Sequence, residues 1–140
     1  MSKAKQLLQK ALEARKKAYT PYSHFQVGAA LLCKNGNIYT GCNIENASYS
    51  ATNCAERTAF FKAVSEGETE FEAIAIAGGK QDKKESELSF CYPCGVCRQV
   101  MLEFCNPEEF LVIVGENEKI REHKLKELVP YQFSDADLLS

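Results

Sequence analysis

Two short runs about forty residues apart, Cys54-Ala55-Glu56 and Pro93-Cys94-Gly95-Val96-Cys97, constrain this chain more than anything else in it. Together they offer three thiols and one neighbouring carboxyl. Cys94 and Cys97 are three apart, so on a helix their side chains share a face and can grip one ion at about 2.3 Å from each sulfur. Cys54 must be brought to them by the fold. A structural zinc takes four protein ligands, whereas a catalytic one takes three and keeps the fourth position for water or substrate. The count here is three, with Glu56 at hand as an acid and base.

The stretches between the runs show how such a meeting could come about. From Lys3 to Ala18 apolar residues recur at helical spacing and stop at Thr20-Pro21. Two β-rich runs, Phe25 to Cys33 and Ile38 to Ile44, flank Lys34-Asn35-Gly36-Asn37, and Asn-Gly is the strongest short hairpin signal because both residues tolerate positive φ. Residues 53 to 66 carry no Gly or Pro and end at Gly67, which suits a helix with a left-handed cap. Phe71 to Ala77 reads as a buried strand, and Gly78 to Phe90 as a polar surface loop. Cys94 to Cys105 reads as a helix behind Pro93, and Phe110 to Val114 as a strand. Ile120 to Leu125 reads as a further strand, Lys126 to Val129 as a helical turn, and Ser134-Asp135 as the cap of a last short helix ending at Leu139. This order predicts an α/β fold over residues 1–140 as one domain: a three-layer α/β/α sandwich about a mixed sheet of about five strands.

If both cysteine runs open helices, the thiols sit where unpaired backbone N–H groups and the positive end of the helix dipole favour the thiolate. Residues two apart in a regular helix point to different sides, so Cys54 and Glu56 can face one site only if Cys54 stands at the helix start with less regular dihedrals. Three thiolates on zinc leave a formal charge of about −1, which a nearby cation should offset. Arg57 is the first candidate and Arg98 the second.

Seven cysteines could form a disulfide framework, but the number is odd and the chain opens on a helix-like Met1-Ser2-Lys3-Ala4-Lys5 rather than an apolar leader. Cytosolic thiols, hence a cytoplasmic protein, are the expectation. Cys33, Cys42 and Cys105 read as core or strand residues, while Cys91 stays open between a surplus thiol and an alternative ligand. His24 and His123 read as surface or turn residues rather than ligands. No apolar run approaches the roughly 18 residues of a membrane span. A net charge of −2, from 17 basic and 19 acidic side chains mixed along the sequence, excludes the footprint of a long nucleic-acid partner and points to a small substrate.

The chain resembles the small, homotetrameric zinc-dependent cytidine deaminases. The resemblance runs from Tyr22-Ser23-His24-Phe25-Gln26-Val27-Gly28-Ala29-Ala30-Leu31, through Gly41-Cys42-Asn43-Ile44-Glu45-Asn46-Ala47-Ser48-Tyr49 and Cys54-Ala55-Glu56-Arg57-Thr58-Ala59, to Pro93-Cys94-Gly95-Val96-Cys97-Arg98-Gln99. It implies hydrolysis of cytidine and 2′-deoxycytidine to uridine and 2′-deoxyuridine with release of ammonia, in pyrimidine salvage. It implies one zinc per subunit on Cys54, Cys94 and Cys97, with Glu56 moving protons first as base and then as acid. Asn43 and Glu45 are implied at the ribose, Phe25 against the pyrimidine ring, and the Ala55 backbone N–H at the base. Ala47, Tyr49 and Phe133 are implied to reach a neighbouring subunit, although both aromatics could equally fill a monomer's own core. Two features depart from the family's usual pattern: Tyr92 stands where Ser often precedes the Pro-Cys-Gly run, and the 78–90 loop is long and charged. The nearest rivals are a deaminase of another cytosine nucleoside, such as blasticidin S, and a non-catalytic zinc module.

Overall fold

Strand β1 (Phe25–Cys33) is the spine of the molecule, since its residues alternate between two buried faces. Ala30 and Leu32 turn toward helix α1 (Lys3–Arg15), whose Leu7, Leu8, Ala11 and Leu12 form the other half of that layer. Ala29, Leu31 and Cys33 turn the opposite way, toward α2 (Ala55–Ser65) and α3 (Gly95–Phe104). The computed structural model describes residues 2–115 and 118–139.

The sheet has five strands in the order β2-β1-β3-β4-β5, where β2 is Ile38–Cys42, β3 Phe71–Lys80, β4 Leu111–Gly115 and β5 Ile120–Lys124. Among the described strands only the β3–β4 pair is parallel, so the sheet is mixed, as the sequence predicts. The crossover between β3 and β4 carries α3, which lies with α2 on one face while α1 covers the other. A short 3-10 turn, Leu125–Leu128, and a last helix α4, Asp135–Leu139, close the chain. None of the described helices is long and apolar enough to cross a membrane.

Two glycines set how closely the helices approach the sheet. A Cβ on Gly28 would stand 1.9 Å from the Ala11 carbonyl oxygen of α1, and one on Gly41 would stand 2.5 Å from the Ala55 carbonyl oxygen of α2. Backbone against backbone at these points is possible only without a side chain. The Gly41 contact matters for the site, because it presses the first turn of α2 onto the sheet.

Several boundaries differ from the sequence reading. α1 stops at Arg15 rather than Ala18, because its last turn tightens into bonds three residues back, Lys17 N to Ala14 O and Ala18 N to Arg15 O. Arg15 itself is buried, donating to the carbonyls of Gln26, Gly79 and Lys80 at 3.0, 3.0 and 2.7 Å. β3 runs on to Lys80, pairing Gly78 with Val27 and Gly79 with Gln26, so the connecting loop begins three residues later than expected. The two glycines continue the strand because Cys91 and Leu88 lie directly over them, within 2.8 and 2.4 Å of where a Cβ would be. β2 ends at Cys42 rather than Ile44; Asn43 N still donates to Val27 O of β1 at 3.2 Å, and Ile44 then forms single bridges with Tyr19 and Asn53.

Candidate active site

Cys54 and Cys94 are the residues immediately before α2 and α3, and both have extended backbones, at φ −75°, ψ 156° and φ −70°, ψ 170°. Each carbonyl accepts the first bond of its helix, from Thr58 N at 3.0 Å and Arg98 N at 2.9 Å. Neither sulfur is spent on capping the helix, so both are free to turn into the space between the two helix starts. Cys97 enters that space from the first turn of α3, and the three sulfurs lie within 4.8 Å of one another, with Cys54 and Cys94 3.7 Å apart. Tetrahedral bonds of about 2.3 Å would hold two sulfurs roughly 3.8 Å apart. The Cys54–Cys94 spacing therefore matches that of a zinc site, and the third sulfur lies close enough to complete it.

Charge at the site follows the same plan. The Cys54 thiol is lowered to about 5, chiefly by a hydrogen bond from Cys97, with Arg57 and Cys94 adding to it. Cys97, whose proton makes that bond, is raised correspondingly. Arg57 Nη2 donates to Cys54 Sγ at 3.3 Å, so the first candidate for the compensating cation lies against the sulfurs. Arg57 Nε is buried and has no hydrogen-bond partner among the described residues, a donor left over beside a centre built to be anionic. Arg98, the second candidate, does something else: Nε donates to the Pro93 carbonyl at 2.9 Å and Nη1 to the Leu128 carbonyl at 2.8 Å. It ties the metal loop to the tail.

Glu56 follows Cys54 in the first turn of α2 and is only 4% exposed. Burial lifts its carboxyl to about 7; its own backbone N–H opposes that rise, while the Cys54 charge reinforces it. The extended dihedrals of Cys54 let two residues so close in sequence serve one site. Ala55, between them, is completely buried. Cys91 stands nearby as a half-buried neutral thiol, raised to about 12 chiefly by desolvation, and lies over Gly78 rather than with the three converging sulfurs.

The residues implied at the sugar are arranged differently from a simple strand edge. Asn43 and Glu45 lie just past the end of β2, either side of Ile44, and both bond the Tyr19 backbone, Tyr19 N to Asn43 O at 3.0 Å and Glu45 N to Tyr19 O at 2.9 Å. The Asn43 side chain bridges to β1, its Oδ1 accepting from Val27 N and its Nδ2 donating to Phe25 O, both at 2.9 Å. Phe25, half-buried at the start of β1, is thereby fixed through its own backbone. Glu45 accepts from the backbone N–H groups of Tyr22 and Ser23 at 3.0 and 3.1 Å and from the Ser23 hydroxyl. That hydroxyl is the first cause of a carboxyl held below its ordinary value. Sequence inspection missed Ser23, because nothing in the linear order shows that residues 22–23 wrap a carboxylate at 45.

Tyr49 and Phe133 are 78% and 59% exposed, and Ala47 is exposed as well. Neither aromatic fills the core of this chain. Phe133 is nonetheless held in place, since Gln99 Nε2 of α3 donates to its carbonyl at 2.8 Å. His24 sits in a turn with φ 56°. His123 is a half-buried residue of β5, and its Nε2 lies 3.1 Å from the Tyr92 hydroxyl.

Residues 1–114, which include all three sulfurs, match the family described as the cytidine and deoxycytidylate deaminase zinc-binding region. The chain is 49% identical over 132 residues to a cytidine deaminase of Sporosarcina psychrophila, covering 94% of this chain and 92% of that one. It is 50% identical over 133 residues to a cytidine deaminase of Halalkalibacterium halodurans, with 94% and 95% covered. The crystal structure of cytidine deaminase from Burkholderia pseudomallei superposes with a TM-score of 0.83 at 42% identity, over 95% of this chain and 100% of that one. This likeness extends over both helix starts and the sheet that holds them, and the chain belongs to the cytidine and deoxycytidylate deaminase zinc-binding family.

Proposed function

We propose that this protein hydrolyses cytidine and 2′-deoxycytidine to uridine and 2′-deoxyuridine, releasing ammonia, with zinc held by Cys54, Cys94 and Cys97. The observation that carries the reading is the convergence of three sulfurs within 4.8 Å at two helix starts beside a buried Glu56 carboxyl. Zinc bound there would supply Lewis acidity, making water a nucleophile at neutral pH and leaving one coordination position open.

Glu56 does the proton work. It takes a proton from the attacking water as the oxygen adds to C4, and delivers it to N3 of the ring. Cleavage of the C4–N4 bond then needs a further proton on the departing nitrogen, which the same carboxyl relays from the newly added hydroxyl. The sum is water consumed and ammonia released, with the carboxyl returned to its starting state. Arg57 offsets the negative charge of the thiolates. Phe25 lies against the ring, the Ala55 N–H holds the base, and Asn43 and Glu45 take the ribose hydroxyls.

The grip on the sugar favours free nucleosides over polymers, and pyrimidine salvage in the cytoplasm is the corresponding role. The exposed Ala47, Tyr49 and Phe133 support a homotetramer in which each subunit completes a neighbour's pocket. We read residues 1–140 as one domain, supported by a single sheet shared by the described strands.

The test is ammonia release from cytidine by zinc-loaded protein, with Glu56→Gln alongside. The variant should keep its zinc and lose about 10²–10⁴-fold in kcat. An active variant, or loss of zinc from it, would contradict the role given to Glu56.

A further inference from the structure

Tyr92, the residue that departs from the family's usual serine, is moored to the far edge of the sheet. Its hydroxyl is 3.1 Å from His123 Nε2 and 3.5 Å from Arg121 Nη1, both on β5. His123 Nδ1 lies in turn 3.1 Å from Glu127 Oε2, in the 3-10 turn that follows. Arginine can only donate, so the tyrosine oxygen accepts from Arg121. A carboxylate can only accept, so His123 Nδ1 carries the hydrogen that faces Glu127, and in the neutral ring Nε2 is then the acceptor of the Tyr92 hydroxyl.

The same segment is held at its other residues. The Arg121 guanidinium lies 3.8 Å over the Phe90 ring, and Arg98 clamps the Pro93 carbonyl to the Leu128 carbonyl. Residues 90–93 are thus bound to β5 and the 125–128 turn immediately before Cys94. A backbone bound in this way cannot swing Cys94 away from Cys54 and Cys97 without breaking several of these contacts.

We propose that Tyr92 and His123 are positioning residues for the metal site: the chain from Arg121 through Tyr92 and His123 to Glu127 holds Cys94 in ligating position and slows release of zinc. This rests on the reading of Cys54, Cys94 and Cys97 as the zinc ligands.

The experiment is the rate of zinc transfer from the loaded protein to a coloured chelator, for the parent, Tyr92→Phe, His123→Ala and the double variant, with thermal midpoints recorded in parallel. Tyr92→Phe keeps the ring and its packing and removes only the hydroxyl. Each single variant should release zinc about tenfold faster, and the double variant no faster than the singles, because both cut one chain. His123→Gln, which offers an acceptor and a donor, should recover part of the parent rate. Parent-like release from Tyr92→Phe would overturn the proposal, as would additive effects in the double variant. A parent that takes up no zinc would remove the metal reading itself, and this proposal with it.

Discussion

Arg57 donates from Nη2 to Cys54 Sγ at 3.3 Å, while its buried Nε has no hydrogen-bond partner among the described residues. One guanidinium thus offsets thiolate charge from within the same helical turn as the sulfur it serves. Arg57→Gln should lower zinc affinity about 10–100-fold, the usual cost of losing an outer partner of a metal ligand. Competition with a chelator of known affinity measures this directly. Unchanged affinity would mean that the site tolerates its anionic charge without help.

Removal of the metal should abolish turnover and leave the fold weakened rather than lost, since the core on the α1 side of the sheet contains none of the three cysteines and Cys97 is one of many buried residues in the other. Zinc at a thousand times its Kd adds about 4 kcal/mol to folding. For a domain of this size that should raise the thermal midpoint by roughly 10 °C. Calorimetry of the metal-free protein before and after zinc is restored reads both quantities; a midpoint indifferent to zinc would argue against a preformed site.

Ser23 should govern how well Glu45 meets the sugar. With the hydroxyl gone, Ser23→Ala should raise KM for cytidine about three- to tenfold and leave kcat near the parent value. The pH dependence has a definite sign. Ser23 holds the Glu45 carboxyl below its ordinary 4.5, so the ionised form survives further into acid in the parent. Binding through that carboxylate is complete above the ordinary value and is lost as pH falls through the depressed one. In Ser23→Ala the loss should set in at a higher pH, which initial rates across an acid pH series would reveal.

Arg15 joins the end of α1 to the carbonyls of Gln26, Gly79 and Lys80 from a buried position. Arg15→Ala strands those carbonyls without their donor and should cost about 3 kcal/mol of stability. Urea unfolding would show it as a lower midpoint with little change in slope. Arg15→Lys should recover only part of the loss, because one ammonium cannot reach three carbonyls from a fixed direction.

Local pattern carried far in this chain. β1 has the bounds read from its apolar run, and its turn falls at Asn35-Gly36, where Gly36 takes φ 95°. Both cysteine runs open helices, which is legible because Pro93, Gly67 and the absence of breakers act within a few residues. Gly78 and Gly79 misled for the opposite reason. Glycine in sequence signals a loop, and only the packing of Leu88 and Cys91 over the sheet shows why a strand continues without side chains there. Tyr92 could be placed beside the metal loop from sequence, but not its bond to His123, thirty-one residues on.

By itself, then, the sequence determined the element types, the three sulfurs with their carboxyl, and the family to which they point, because ligand spacing and helix capping are short-range properties of the chain. Only the tertiary structure decided that α2 and α3 aim their first turns at one point, that Arg57 and not Arg98 faces the thiolates, and that Ser23 grips Glu45. Those relations depend on strand order and on the close approach at Gly41, where backbone meets backbone across segments that no local pattern connects.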